Sequence, residues 1–161
     1  MTQTGFDTHD HSHCIHAAIS AAETRCAEEK LRFTPVRKRV LEILLEDHRA
    51  QGAYDILARL AEEGHGAQPP VAYRALDFLV GHGFAHRIER LNAYVACTHA
   101  HDTDQAPAFL ICRKCGAVAE AGAQKVETTI GVEAARLGFV IERTVLEMEG
   151  LCPACIKAEA A

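Results

Sequence analysis

Residues 108–120 read AFLICRKCGAVAE, and residues 150–155 read GLCPAC. Each stretch holds a Cys-x-x-Cys pair: Cys112 with Cys115, and Cys152 with Cys155. Such a turn can place two thiolates on one tetrahedral ion, and two turns complete the closed four-cysteine shell of structural zinc. Thiolate, a soft ligand, selects zinc over hard cations. The pairs stand 36 residues apart, more than the roughly 15–20 of a simple zinc ribbon. A folded unit must therefore lie between them, tied at its ends by the metal. Two disulfides or a redox pair are the competing readings, and neither explains why the motif comes in duplicate.

Around this pair of knuckles the chain has 161 residues, enough for one domain or two small ones. It is 48% hydrophobic, which supplies an ordinary core. No run reaches the ~18 apolar residues of a membrane span, and the N-terminus lacks the pattern of a signal peptide. The expected location is the cytoplasm, where thiols stay reduced and paired cysteines favour metal over each other. Ten His beside seven Cys is a high density of ligand types. The net charge is −5, yet residues 30–96 carry ten Lys/Arg against eight acids, a local +2. An acidic total can still carry one basic face.

Residues 1–13 read as a polar, His-rich tail. His9, His11, His13, Cys14 and His16 could bind metal, but the plainer reading is a solvated tail with incidental binding. A helix is expected from about Ser12 to Glu29, burying Ile15, Ala18, Ile19, Ala22 and Cys26. Thr34-Pro35 is a helix start, a capping hydroxyl followed by a proline suited to the first position. Val36, Val40, Ile43 and Leu44 form its buried stripe. Arg37, Lys38 and Arg39 are either a solvated face or phosphate contacts. A short link from His48 to Gly52 leads to a third helix, Ala53 to Glu63. A fourth runs from Pro70 to Val80 with Ala72, Ala75, Leu76 and Leu79 inward. Residues 84–97, FAHRIERLNAYVAC, read as a β-hairpin. Helices followed by a hairpin are the pattern of a winged helix-turn-helix, whose last helix enters the DNA major groove. Beyond a polar loop (98–107), strands flank the first knuckle, a helix spans Ala123 to Leu137, and a strand from Phe139 to Met148 leads to the second knuckle.

The predicted fold class is therefore α+β: an N-terminal winged helix-turn-helix DNA-binding domain, then a small α/β domain with a four-cysteine zinc site. The expected divisions are 1–13, a mobile tail; 14–96, the DNA-binding domain with its hinge; and 97–161, the metal-binding domain.

TPVR (34–37), AYDIL (53–57), YRALDFLVGHGFAHRIE (73–89), NAYVAC (92–97), CRKCGAVAE (112–120) and GLCPAC (150–155) occur in one order. In that combination the chain resembles the ferric uptake regulator (Fur) superfamily, and most closely its zinc uptake regulator (Zur) branch, over roughly residues 15–157. The resemblance implies a repressor of zinc uptake genes that binds palindromic double-stranded operator DNA as a zinc-loaded homodimer, with about two zinc ions per subunit. It implies no membrane, no small-molecule substrate beyond the metal ion, and no enzyme activity. It makes the small α/β domain, residues 97–161, the dimerisation domain and gives Cys112, Cys115, Cys152 and Cys155 the structural zinc. A second, regulatory site matches His86, Cys97 and Glu120, with His101 as the fourth ligand and His99 as its alternative. Imidazole, thiolate and carboxylate together make a zinc shell. The Cys97 thiolate favours zinc over iron(II); a relative sensing iron, manganese, nickel or peroxide is the competing reading. For DNA the resemblance points to Tyr54, Tyr73 and Arg74, with Arg37 at the start of the second helix. The family's usual hydroxyl before Tyr73-Arg74 is replaced by Pro69-Pro70-Val71-Ala72, which removes one expected cap or phosphate contact.

Overall fold

The computed structural model describes residue 6 and residues 11–66, 68–97 and 107–160, with residues 11–14 as backbone alone. The His-rich cluster of the N-terminus lies largely outside the described side chains. Four helices come first: α1 (His11–Glu28), α2 (Pro35–Leu45), α3 (Ala53–Glu62) and α4 (Pro69–Gly81). Between α2 and α3 lies a two-residue strand, β1 (Gln51–Gly52), and after α4 come β2 (Ala85–Ile88) and β3 (Ala93–Ala96). The remainder is β4 (Pro107–Cys112), β5 (Val118–Gly122), α5 (Gln124–Arg136), β6 (Leu146–Gly150) and α6 (Pro153–Ala160). No described helix is long and apolar enough to cross a membrane.

The helices start where side-chain chemistry dictates. Thr34 sits extended before α2 and accepts the Arg37 amide at 3.4 Å, with Pro35 in the first turn. Helix α4 has no side-chain cap at Gln68 and begins on Pro69 and Pro70, whose fixed φ suits the first turn. Apolar residues at helical spacing then meet in one core. Ile19, Ala22 and Cys26 of α1 pack with Val40, Ile43 and Leu44 of α2, Ile56 and Leu60 of α3, and Ala72, Ala75, Leu76 and Leu79 of α4. Cys26 is a small buried hydrophobe, as its position in the α1 stripe predicts.

Strands β2 and β3 form the expected hairpin, with His86 opposite Val95 and Ile88 opposite Ala93. Asn92 takes the left-handed conformation at φ 47° that closes the turn. The sheet has a third member that a hairpin reading lacks: β1 pairs with β3, Gln51 opposite Tyr94. The link before β1 also reaches the second sheet, since the Val118 amide donates to the His48 carbonyl at 2.9 Å and Arg49 bridges Ala117. That second sheet has the order β5-β4-β6, with β4 antiparallel to β5 and parallel to β6. Ile88 and Val95 of the hairpin pack on Phe109, Ile111 and Val118, joining the two sheets through apolar side chains.

One expectation needs correction, and two features were not foreseen. The strand predicted over Phe139–Met148 joins the sheet only from Leu146 to Gly150. Its first residues have no described strand beside them, and a strand exists only where its amides and carbonyls find a ladder. Helix α5 carries the predicted apolar spacing, yet only Ala134 is buried, while Val126, Ile130 and Leu137 are exposed. Helical periodicity shows that a face is apolar, not which surface covers it. Helix α6 was not expected: its eight residues start on Pro153, directly after Cys152. Gly138, at φ 70°, ends α5, with the Phe139 amide returning to the Ala134 carbonyl at 2.8 Å.

Leu76 is fully buried at 0% exposure. Leu76→Ala is expected to cost about 2–5 kcal/mol, read as a lower urea midpoint with an unchanged slope.

Candidate metal centres and nucleic-acid surface

The parallel register of β4 with β6 sets Cys112 beside Gly150, so each strand delivers its knuckle to the same place. The first knuckle turns through Gly116 at φ 74°, a conformation that glycine adopts without strain. Its turn is closed by the Gly116 amide on the Cys112 carbonyl at 2.9 Å and the Cys112 amide on the Ala117 carbonyl at 2.8 Å. The second knuckle leads from β6 into α6, whose first turn presents Cys155. The Arg113 amide donates to the Gly150 carbonyl at 2.9 Å and stitches the two knuckles together. The four sulfurs all lie within 4.8 Å of one another.

Cys112, Cys152 and Cys155 are buried and Cys115 is half-buried, with Leu151, Ala117 and Phe6 packed around them. All four are free thiols. The Cys152 amide donates to Cys112 Sγ at 3.3 Å. The backbone amides of Cys115 and Cys152 draw the Cys112 thiol down to about 6. Burial, together with the neighbouring thiols, pushes Cys155 up to about 12. Like charges this close repel, and a bound cation is what would let several thiolates share one site. The geometry fits such an ion. A regular tetrahedron with metal–sulfur bonds of about 2.3 Å has edges of about 3.8 Å, and Cys115 Sγ lies 3.7 Å from Cys152 Sγ.

A second cluster joins the two sheets. His86 comes from β2, Cys97 directly follows β3, and Glu120 lies on β5 opposite Phe109. Their ligand atoms lie within 4.8 Å of one another, and each residue is half-buried. His86 Nε2 stands 3.6 Å from Glu120 Oε2, and the His86 ring packs on Phe109 at 5.2 Å between centroids. The Cys97 amide continues the hairpin ladder to the Phe84 carbonyl at 3.0 Å, which fixes the thiol beside β2. Nitrogen, sulfur and oxygen donors converging at this range suit a borderline cation such as zinc. Three of the expected regulatory residues are thus together; His99 and His101 lie outside the described residues.

Of the residues expected to meet DNA, Tyr54, Tyr73 and Arg74 lie on α3 and α4, and Arg37 on α2. Tyr54 is 74% exposed in the first turn of α3, Tyr73 is 40% exposed, and Arg74 beside it is exposed. The basic run on α2 is more engaged than its sequence suggests. The Arg37 guanidinium lies 3.7 Å over the Phe78 ring and also donates to the Arg32 carbonyl. Lys38 pairs with Glu23 at 2.6 Å, and Arg39 forks onto Glu63 at 2.6 and 2.7 Å while reaching Glu42 and Glu46. One functional candidate has no signal in the sequence: Glu147 of β6, the first of two acids in LEMEG, contacts the hairpin turn.

Two outcomes follow from the thiol cluster. Adding Zn2+ to metal-stripped protein is expected to raise the melting temperature, and Cys152→Ser to abolish most of that rise while lowering retained zinc by one per chain, measured by elemental analysis. Protons compete with metal for thiolates, so zinc retention is expected to fall as pH falls.

The chain is 42% identical over 142 residues to the "Zinc uptake regulation protein" of Escherichia coli (strain K12), covering 88% of this chain and 83% of that protein. Among solved structures it resembles "Zinc Uptake Regulator Complexed With Zinc AND DNA", with a TM-score of 0.86 and 40% identity over 91% of this chain and 98% of that one. It also resembles XcZur in two states. The TM-score is 0.79 with holo XcZur and 0.50 with apo XcZur, at the same 36% identity and 88% coverage of this chain, and 98% and 97% of those chains. The pattern of the Ferric uptake regulator family matches residues 28–149, and the chain belongs to that family.

Proposed function

We propose that this chain is a zinc-responsive transcriptional repressor that binds palindromic operator DNA as a zinc-loaded homodimer and represses zinc uptake genes. The observation that carries the reading is the His86–Cys97–Glu120 cluster, built from both sheets of a chain that also exposes Tyr54, Tyr73 and Arg74. A metal site whose donors come from two parts of a chain is complete only when those parts are closed together. To move a population from 1:99 to 99:1, an ion must prefer the closed form by about 10⁴-fold. A shell shared across an interface can supply that preference.

Each set of residues then has a part. Cys112, Cys115, Cys152 and Cys155 hold a structural zinc that ties the ends of residues 97–161, the proposed dimerisation domain. His86, Cys97 and Glu120, with His101 or else His99, hold a regulatory zinc, which makes about two ions per subunit. A bound ion would supply the charge that keeps thiolate, carboxylate and imidazole in contact. Residues 14–96 form the DNA-binding domain, with residues 1–13 as a tail. Arg74 can fork onto a guanine edge, and Tyr54 and Tyr73 can reach the same groove. Arg37 adds a backbone contact through the part of its guanidinium not stacked on Phe78. A regulator of this kind works in the cytoplasm and needs no catalytic site.

The dimer reading rests on surface left uncovered in one chain. Leu137, Phe139 and Val140 are 78%, 66% and 79% exposed, and Val126, Ile130 and Val145 are exposed near them in sequence. Several large apolar side chains exposed within one stretch of chain are what an interaction site would cover. Residues 139–145, which lack a described ladder, lie in the same stretch and could pair with a second copy. The contrast between the holo-like and apo-like overlays supports closure as the regulated change, because sequence and coverage are equal in the two.

A duplex selected from random sequence by zinc-loaded protein serves as the DNA probe. Wild type is expected to bind it at low free zinc, by fluorescence anisotropy, and Cys97→Ser to stay folded and dimeric while needing far more zinc. Binding that responded to iron(II) or nickel but not zinc would overturn the metal assignment in favour of a sensor of those ions. Arg74→Ala should weaken binding at every zinc level by about 1–3 kcal/mol and relax specificity at one base pair of each half-site.

A further inference from the structure

The turn of the β2–β3 hairpin is docked onto β6 by polar contacts that neither metal cluster uses. Glu147 Oε1 accepts the Glu89 amide at 2.6 Å, and Glu147 Oε2 accepts the Arg90 amide at 3.0 Å. Both oxygens of one carboxylate thus hold two successive amides of the turn. Arg143 donates to the Glu89 carboxylate, and Arg90 pairs with Glu149 at 2.7 Å. The Arg143 guanidinium holds the Glu89 carboxyl below its ordinary range. Exposed ion pairs of this kind are weak and screened by salt. The carboxylate-to-amide bonds are charge-assisted and stronger.

Position gives these contacts their meaning. His86 and Cys97 lie toward the open end of the hairpin, and the turn is its other end. Strand β6 runs on through Gly150 into Cys152. The hairpin is therefore held against the second sheet at both ends, by the candidate metal cluster at one and by Glu147 at the other. Between them, Ile88 and Val95 on Phe109 and Ile111 make the apolar contact. That contact remains when Glu147 is removed, so its loss loosens the turn and leaves the fold standing.

We propose that Glu147 is a positioning residue for DNA recognition: by gripping the Glu89 and Arg90 amides it favours the closed hairpin, and so lowers the zinc concentration at which DNA is bound. The proposal rests on the zinc-dependent reading above. Successive turn amides can also receive an anion such as a DNA phosphate, and Glu147 would then compete with DNA. The grip is favoured because it occurs in the arrangement shared with the zinc- and DNA-complexed relative.

The test is a zinc titration of binding to the selected duplex, with amide exchange at residues 89 and 90 measured without DNA. Glu147→Ala is expected to raise the free zinc for half-maximal binding on the order of 10-fold, a common size of coupling between sites. Its affinity at saturating zinc should stay near wild type, whereas a merely destabilised protein would lose affinity there too. Glu147→Gln keeps one acceptor oxygen and should fall between the two. Exchange at 89 and 90 should quicken in Glu147→Ala. An unchanged midpoint, or a lower one, would overturn the proposal, the lower one pointing to competition with phosphate. Wild-type binding that ignored zinc would sink the regulator reading and the zinc midpoint with it. Unchanged exchange in Glu147→Ala would refute the grip on its own terms, whatever the DNA result.

Discussion

The pairing of β4 with β6 is the contact on which the rest depends. It is a parallel pairing, so it needs a crossover, and β5 with α5 supply one. Its register sets Cys112 beside Gly150 and brings two Cys-x-x-Cys turns into one tetrahedral cluster. A slip of one residue would turn every side chain of β6 to the opposite face, and Glu147 would leave the hairpin turn. The thiol cluster and the pairing support each other: the knuckles end the strands, and the strands aim the knuckles.

From this base the hairpin becomes the part that reports. It packs on the second sheet through Ile88 and Val95, carries His86 and Cys97 toward Glu120, and rests its turn on Glu147. The link from His48 to Gly52 makes a second bridge, bonding first to the start of β5 and then to β3. Tyr54 follows two residues later on α3. The exposed tyrosine is therefore near a segment that touches both sheets, so a change in how the sheets meet has a short path to the proposed DNA surface.

Much of this was legible in the residues because it is local. Thr34-Pro35 announces a helix through capping and a fixed φ, and the inner face of α4 was read correctly from spacing alone, while on α1 Ile19, Ala22 and Cys26 are buried and Ile15 and Ala18 only partly so. The two cysteine pairs identify their chemistry without a fold. Helix α6 was a local miss, eight residues starting on Pro153; the other misses were non-local. Strand β1 is two residues long and exists only because β3 lies beside it. Residues 139–145 have strand-like composition but no described strand beside them. The α5 stripe was visible as a pattern, and its exposure was not, because a period says nothing about what covers the face.

The sequence by itself determined the first five helices, the hairpin, the donor types and the two knuckles, since each follows from bonds and torsions within a few residues. Only the tertiary structure decided which donors meet. His86, Cys97 and Glu120 converge because two sheets pack through Phe109, and that packing depends on shape across distant segments. The same holds for Glu147, an unremarkable acid in its strand until the parallel register turns its carboxylate onto the amides of Glu89 and Arg90. Separations in sequence do not fix distances in space; close packing of the core does.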